Sequence, residues 1–281
     1  MQRTGDQHIS LKSEASLLAE GILCKIGSGR TAKVVNVWND VEVSSLTEYL
    51  NLVTSAPDIA ARLYRGQQDS AWELVPKLYR LAAQVSHPNV QVLEVMLLIN
   101  FKEESFPFKT WRSPSDWHED WIELGVAQHH GMATRLLDWT KNPLSALWFA
   151  VAPDALHDVD GAVHVLTTND TDFQMDTTLD PLARDKVEVV LPPPVVQRMR
   201  NQTAWFTSHP ADKSGRHLDI PFSSGTLPTR MIIPASAKAR VREDLHQLSI
   251  DEFRLFYDLD GLCRHLNWFS SEYTTSIATR P

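Results

Sequence analysis

The apolar residues of this chain do not keep one period. Short β-branched runs at Ala61–Arg65, Gly161–Leu166, Val187–Leu191 and Met231–Pro234 are interspersed with longer stretches whose apolar positions recur every three to four residues. The two kinds do not follow a strict strand–helix–strand rhythm, so the pattern favours an α+β fold, a mixed sheet with flanking helices. With 281 residues, 43% of them hydrophobic and 22% charged, the chain can build one large domain with appendages. We expect an N-terminal extension over 1–41, a main domain over 42–268 and a tail over 269–281. Within the extension, Ala32–Trp38 (AKVVNVW) reads as a strand.

Helix punctuation is local and readable. Ser44 or Ser45 caps a helix carrying Leu46, Tyr49, Leu50 and Val53, which stops before Pro57. The strand Ala61–Arg65 ends at Gly66. A long helix spans Ser86 to Phe106, with Pro88 in its first turn and Val90, Leu93, Met96, Leu97 and Phe101 as its stripe. A tryptophan-rich helix follows Ser115 and stops at Gly131. Asn142 caps another, with Pro143 at its first position. Trp72–Arg80 reads as a packed connector, and Ser236 opens a charged amphipathic helix with Val241, Leu245 and Leu248 inside.

The net charge of −8 argues against a broad basic face for duplex nucleic acid, although a small basic pocket for phosphate is compatible with it. Cys24 and Cys263 form neither a disulfide framework nor a zinc motif. The polar N-terminus and the lack of an 18-residue apolar run point to a cytoplasmic protein with no membrane partner. No P-loop, G-x-S-x-G, H-E-x-x-H or dinucleotide fingerprint is present.

The chemistry concentrates in Gln128–Thr140, QHHGMATRLLDWT. Polar residues flank a two-residue apolar step there, a poor design for plain core and a good one for a site. His129, Asp138 and Thr140 are the candidate catalytic groups, and Gln128, His130 and Arg135 candidate ligand contacts. Arg65 and Gly66 add a guanidinium beside an opening in the backbone. Gln202, with Arg198 and Trp205, reads as the other wall of a groove. Adjacent histidines point to different helix faces, so His129 and His130 do not share an ion, and no metal ligand set is expected. Structural alternatives stand beside each reading: an arginine paired with a carboxylate, or a histidine fixed by Asp138.

The order of these motifs resembles the FRG domain family. It runs LYRGQ (Leu63–Gln67), W-x-L-x-P-x-L-x-R (Trp72–Arg80), Glu104, then AQHHG-x-x-TRLLDWT-x-x-P-x-x-AL-x-FA, and later R-x-x-x-Q-x-x-x-F (Arg198, Gln202, Phe206) and LFYDLDGL. The resemblance covers about residues 42–268. The family is named for an aromatic-Arg-Gly element, here Tyr64-Arg65-Gly66; Tyr64, Ala133 and Tyr257 depart from its usual residues without removing a functional group. It implies a bacterial or phage setting. By layout the chain also looks similar to ADP-ribosyltransferases, in which an early strand arginine holds the phosphates of NAD. That analogy implies an NAD-using transferase with Arg65 on pyrophosphate, Thr140 positioning the ribose, and Asp138, Glu104 or Glu252 as carboxylate. The alternative is a non-catalytic module binding a small nucleotide-like or phosphate-bearing ligand; a third reading is metal-free nucleic-acid cleavage.

Overall fold

A computed structural model describes residues 38–55, 61–152, 156–168, 175–220 and 229–274. The described residues from Asp40 onward belong to one compact unit. Cys24 and, apart from Trp38, the strand expected over Ala32–Trp38 lie outside the described residues. Seven strands form one sheet: β1 (Asn39–Glu42), β2 (Ala61–Gln67), β3 (Leu136–Thr140), β4 (Gly161–Thr168), β5 (Glu188–Val190), β6 (Ala204–Ser208) and β7 (Thr229–Ile233). Their order is β1-β7-β4-β2-β3-β6-β5. The α+β expectation, a mixed sheet with flanking helices, therefore holds, and the pairings that join β2 through β7 are antiparallel.

The described α-helices are α1 (Leu46–Ser55), α2 (Lys77–Gln84), α3 (Val90–Glu104), α4 (Glu119–His129), α5 (Pro143–Ala150), α6 (Gln197–Asn201), α7 (Ala235–Gln247), α8 (Glu252–Phe256) and α9 (Leu259–Trp268). Among the described residues, no helix is long and apolar enough to cross a membrane. Side chains alternate across β3 as the pleat requires. Leu136 packs with Trp121, Leu124 and Phe206 on the α4 side. Trp139 packs with Leu63, Leu166 and Trp205 on the other. The period of two puts Asp138 on the α4 side with Leu136.

The fold brings α5 hard against β2. A Cβ built on Gly66 would lie 1.9 Å from the Ala146 carbonyl oxygen and 2.8 Å from the Ala150 nitrogen. Only glycine lets the helix backbone come this close. The helix itself starts as its sequence dictates: Asn142 Oδ1 accepts from the Leu144 and Ser145 amides at 3.0 and 3.4 Å.

Several boundaries differ from the sequence reading. The second strand continues through Gly66 to Gln67. Helix α3 begins after an Asn89 cap, so Pro88 precedes it. Helix α4 begins after His118, leaving Trp117 outside. The supposed connector Trp72–Arg80 contains the start of α2, with Leu78, Tyr79 and Ala82 buried. The RMRNQTAWF stretch yields both α6 and β6; β6 is buried along its whole length, so it shows no polar–apolar alternation to read.

Candidate functional site

The strands β2 and β3 are joined through one recorded register, Tyr64↔Thr140. Beyond it, a side chain bridges the strands: Arg65 Nη1 donates to the Asp138 carbonyl at 2.8 Å. The same nitrogen lies 3.7 Å from Asp138 Oδ2. Helix α4 supplies the next contact, with Gln128 Nε2 donating to Asp138 Oδ2 at 2.9 Å. Gln128 is held in turn by Thr134, whose hydroxyl donates to Gln128 Oε1 at 2.6 Å. The bond to Asp138 fixes the amide orientation, because a carboxylate only accepts, which leaves Oε1 to accept from Thr134. The Asp138 side chain remains 47% exposed, so its carboxylate is oriented from behind and open in front.

His129 stands beside this group, 5% exposed, with its ring 5.6 Å from that of Phe206. Burial depresses its pKa to about 4, with Arg198 and His130 adding to the fall and Asp138 opposing it. The imidazole is neutral at pH 7. Arg198, from α6, lies over the Phe256 ring at 4.2 Å. Burial lowers the pKa of Arg198 and of Arg65 from the ordinary guanidinium value, and Asp138 opposes the fall at both. Both side chains stay cationic, yet are only partly compensated.

The unsatisfied atoms carry information. Arg65 Nε, His129 Nε2, Arg198 Nε and Gln202 Nε2 are buried with no hydrogen-bond partner among the described residues. Leaving a buried polar atom unpaired costs about 1–3 kcal/mol, so each of these atoms is a local destabilising feature of the fold.

Other expected site residues go elsewhere. Arg135 is 3% exposed and fully engaged: Nε and Nη2 donate to Glu94 at 2.6 and 2.5 Å, and Nη1 to the Pro181 carbonyl at 2.9 Å. It stitches β3 to α3 and has no fork left for a ligand. Gly66 serves the approach of α5, not of a ligand. The Thr140 hydroxyl is committed, donating to the Gln202 carbonyl at 2.6 Å and accepting from the Asn142 amide at 3.0 Å. It anchors Gln202 beside the group rather than facing a ribose. His130 is exposed at the end of α4, and Glu104 is exposed at the end of α3. Glu252 pairs with Arg264. Trp205 leaves the groove wall for the opposite face of the sheet, under Lys141 at 4.4 Å.

The sequence reading placed Arg198 only in a groove wall and gave no role to Thr134 or Phe256. The R-x-x-x-Q spacing was the available signal for Arg198, since it sets Arg198 and Gln202 one helical turn apart. No curated protein and no solved structure matches this chain. The family model of the FRG domain matches residues 60–158, the span that holds Arg65, Gln128, His129 and Asp138.

Proposed function

We propose that the group around Asp138 binds a phosphate-bearing nucleotide. The observation that carries this reading is that Arg65, His129 and Arg198, each with a buried side-chain nitrogen lacking a partner among the described residues, all feel one open carboxylate, Asp138. Two half-buried guanidiniums are donors suited to phosphate oxygens. The exposed edge of Asp138 is suited to accept from a ribose hydroxyl. His129, neutral at pH 7, offers a donor or an acceptor according to its tautomer.

A second reading makes the nucleotide NAD and the domain an ADP-ribosyltransferase-like enzyme. What favours it is the placement of Asp138, a carboxylate held by Gln128 and open to the ligand. In that chemistry the N-glycosidic bond breaks with its electron pair leaving on nicotinamide. A nucleophile on the target, or water, then takes the ribose carbon and loses its proton. Asp138 would stabilise the positive charge that develops on the ribose.

Calorimetric titration of the full chain with ADP, ADP-ribose and NAD tests the first reading. Arg65→Ala should weaken binding at least tenfold, about 1.4 kcal/mol, while Lys141→Ala changes it little. Equal affinity in wild type and Arg65→Ala, or no binding at all, overturns it. Release of nicotinamide from NAD, lost in Asp138→Asn with binding retained, establishes the second reading. Binding of NAD without release leaves the non-catalytic module.

A further inference from the structure

Away from Asp138, the C-terminal helices bring together two imidazoles and a carboxylate whose sequence spacing matches no ligand motif. His246 lies in the last turn of α7, Asp251 caps α8, and His265 lies in the last turn of α9. One ligand atom from each lies within 4.8 Å of the other two. His246 Nδ1 stands 3.8 Å, and His265 Nε2 4.0 Å, from Asp251 Oδ2. Both separations are too long for a hydrogen bond. The Asp251 side chain is buried, 3% exposed, and those of His246 and His265 are half-buried, at 18% and 11%. They line one cavity with Trp148, Ile250 and Trp268. His246 Nδ1 has no hydrogen-bond partner among the described residues. A buried imidazole nitrogen left without a bond beside a carboxylate is costly unless something sits between them.

We propose that His246, Asp251 and His265 form a binding site for a divalent transition cation such as zinc. Two imidazole nitrogens and one carboxylate oxygen are a donor set that such ions take, with a fourth position left to solvent. Zinc holds nitrogen and oxygen ligands at about 2.0–2.1 Å, which sets tetrahedral neighbours about 3.3 Å apart. Small side-chain rotations bring the observed separations to that value.

The surroundings agree. The Arg254 amide donates to Asp251 Oδ1 at 3.0 Å, and its guanidinium pairs with Oδ2. A carboxylate oxygen keeps a second lone pair for the ion, so Arg254 becomes the outer partner that orients the ligand. Two further charges line the cavity, and each has its own partner: Arg242 pairs with Glu272 and Glu252 with Arg264. The ion ties α7, α8 and α9 at one point. Because α8 ends at Phe256, under Arg198, it also steadies one wall of the Asp138 group. The metal site does not depend on the nucleotide reading.

The test uses the full chain, stripped with chelator and titrated with zinc. One zinc per chain is expected, with a Tm rise of several degrees. His246→Ala and His265→Ala, verified as folded by circular dichroism, should each weaken binding at least ~100-fold. His118→Ala, in the cluster of His118, Asp120 and Asp180, should leave it unchanged. His246→Cys loaded with cobalt(II) should show a thiolate charge-transfer band, a readout independent of stability. Failure of folded wild type to take up zinc stoichiometrically overturns the proposal. So does uptake that survives the combined change His246→Ala and His265→Ala or is lost in His118→Ala, or absence of the thiolate band.

Discussion

The ion pair of Arg135 and Glu94 shows how a site-like sequence can be structural at one position and leave a carboxylate open to solvent three residues on. Both side chains are 3% exposed, and the guanidinium forks onto the carboxylate. Removing one partner strands the other in the interior, which costs about 3–5 kcal/mol. Glu94→Gln and Arg135→Met should each lower the unfolding free energy, read from urea denaturation, by that much. The double change to Met and Leu should recover part of the loss, and an additive double variant would sink the assignment. Gly66→Ala tests close approach in the same assay. Its Cβ meets backbone at 1.9 Å, so β2 or α5 must shift. A loss of at least about 3 kcal/mol is expected, against about 1 for a mere conformational effect. The polarity of Gln128–Thr140 was legible in sequence. The division of labour was not, because Arg135 meets Glu94 across 41 residues and Asp138 meets Arg65 across 73.

Legibility of the elements followed how local their code is. The start of α5 was plain, because Asn142 and Pro143 carry the cap and the first turn between them. In α3 the stripe of Val90, Leu93, Met96, Leu97 and Phe101 holds at four positions, Val90 being buried and Leu93, Leu97 and Phe101 half-buried against the core, and fails at Met96. The fully buried positions are Val90, Glu94 and Leu98, while Val92, Val95, Met96 and Ile99 are exposed. A helix apolar on every side blurs its packed face, and the one polar residue on its inner side is buried by an ion pair formed elsewhere in the chain. This yields a contrast between neighbours. Met96→Lys, at a position 52% exposed, should change stability by less than about 0.5 kcal/mol. Leu98→Ala, at a position 3% exposed, should cost about 2–5 kcal/mol. Chemical denaturation measures both, and equal losses would mean that the packed face of α3 is misplaced. The same helix shows why Glu94 escaped notice: an acid in an apolar run reads as a solvent-facing residue.

At the scale of the whole molecule, buried histidines tie stability to pH. His129, His164 and His209 are 5%, 1% and 0% exposed. Burial is the first cause of depression at each, taking His129 and His209 to about 4 and His164 to about 3. At His209 the hydrogen bonds define the tautomer. The Leu218 carbonyl, 2.7 Å from Nδ1, can only accept, so Nδ1 carries the proton. Nε2 then accepts from the Thr207 hydroxyl at 2.7 Å, which itself accepts from Trp139 Nε1 at 2.9 Å. A proton added to Nε2 breaks that chain. In the unfolded chain the imidazoles titrate near 6.5. Between that value and about 4, the unfolded state therefore binds protons that the folded state refuses. The stabilisation is complete above pH 6.5 and is lost as pH falls through the folded values, at up to about 1.4 kcal/mol per pH unit for each histidine. Against a total of about 5–15 kcal/mol, three such groups are enough to bring acid unfolding into the range of pH 4–6. Urea midpoints at steps from pH 7.5 to 4.5 should fall throughout the lower half of that range. His209→Gln should be less stable at pH 7.5 but flatter below 6.5, by about one proton. A wild-type profile level from 6.5 to 5, or a variant slope equal to wild type, would show that these rings titrate in the folded protein as freely as in water.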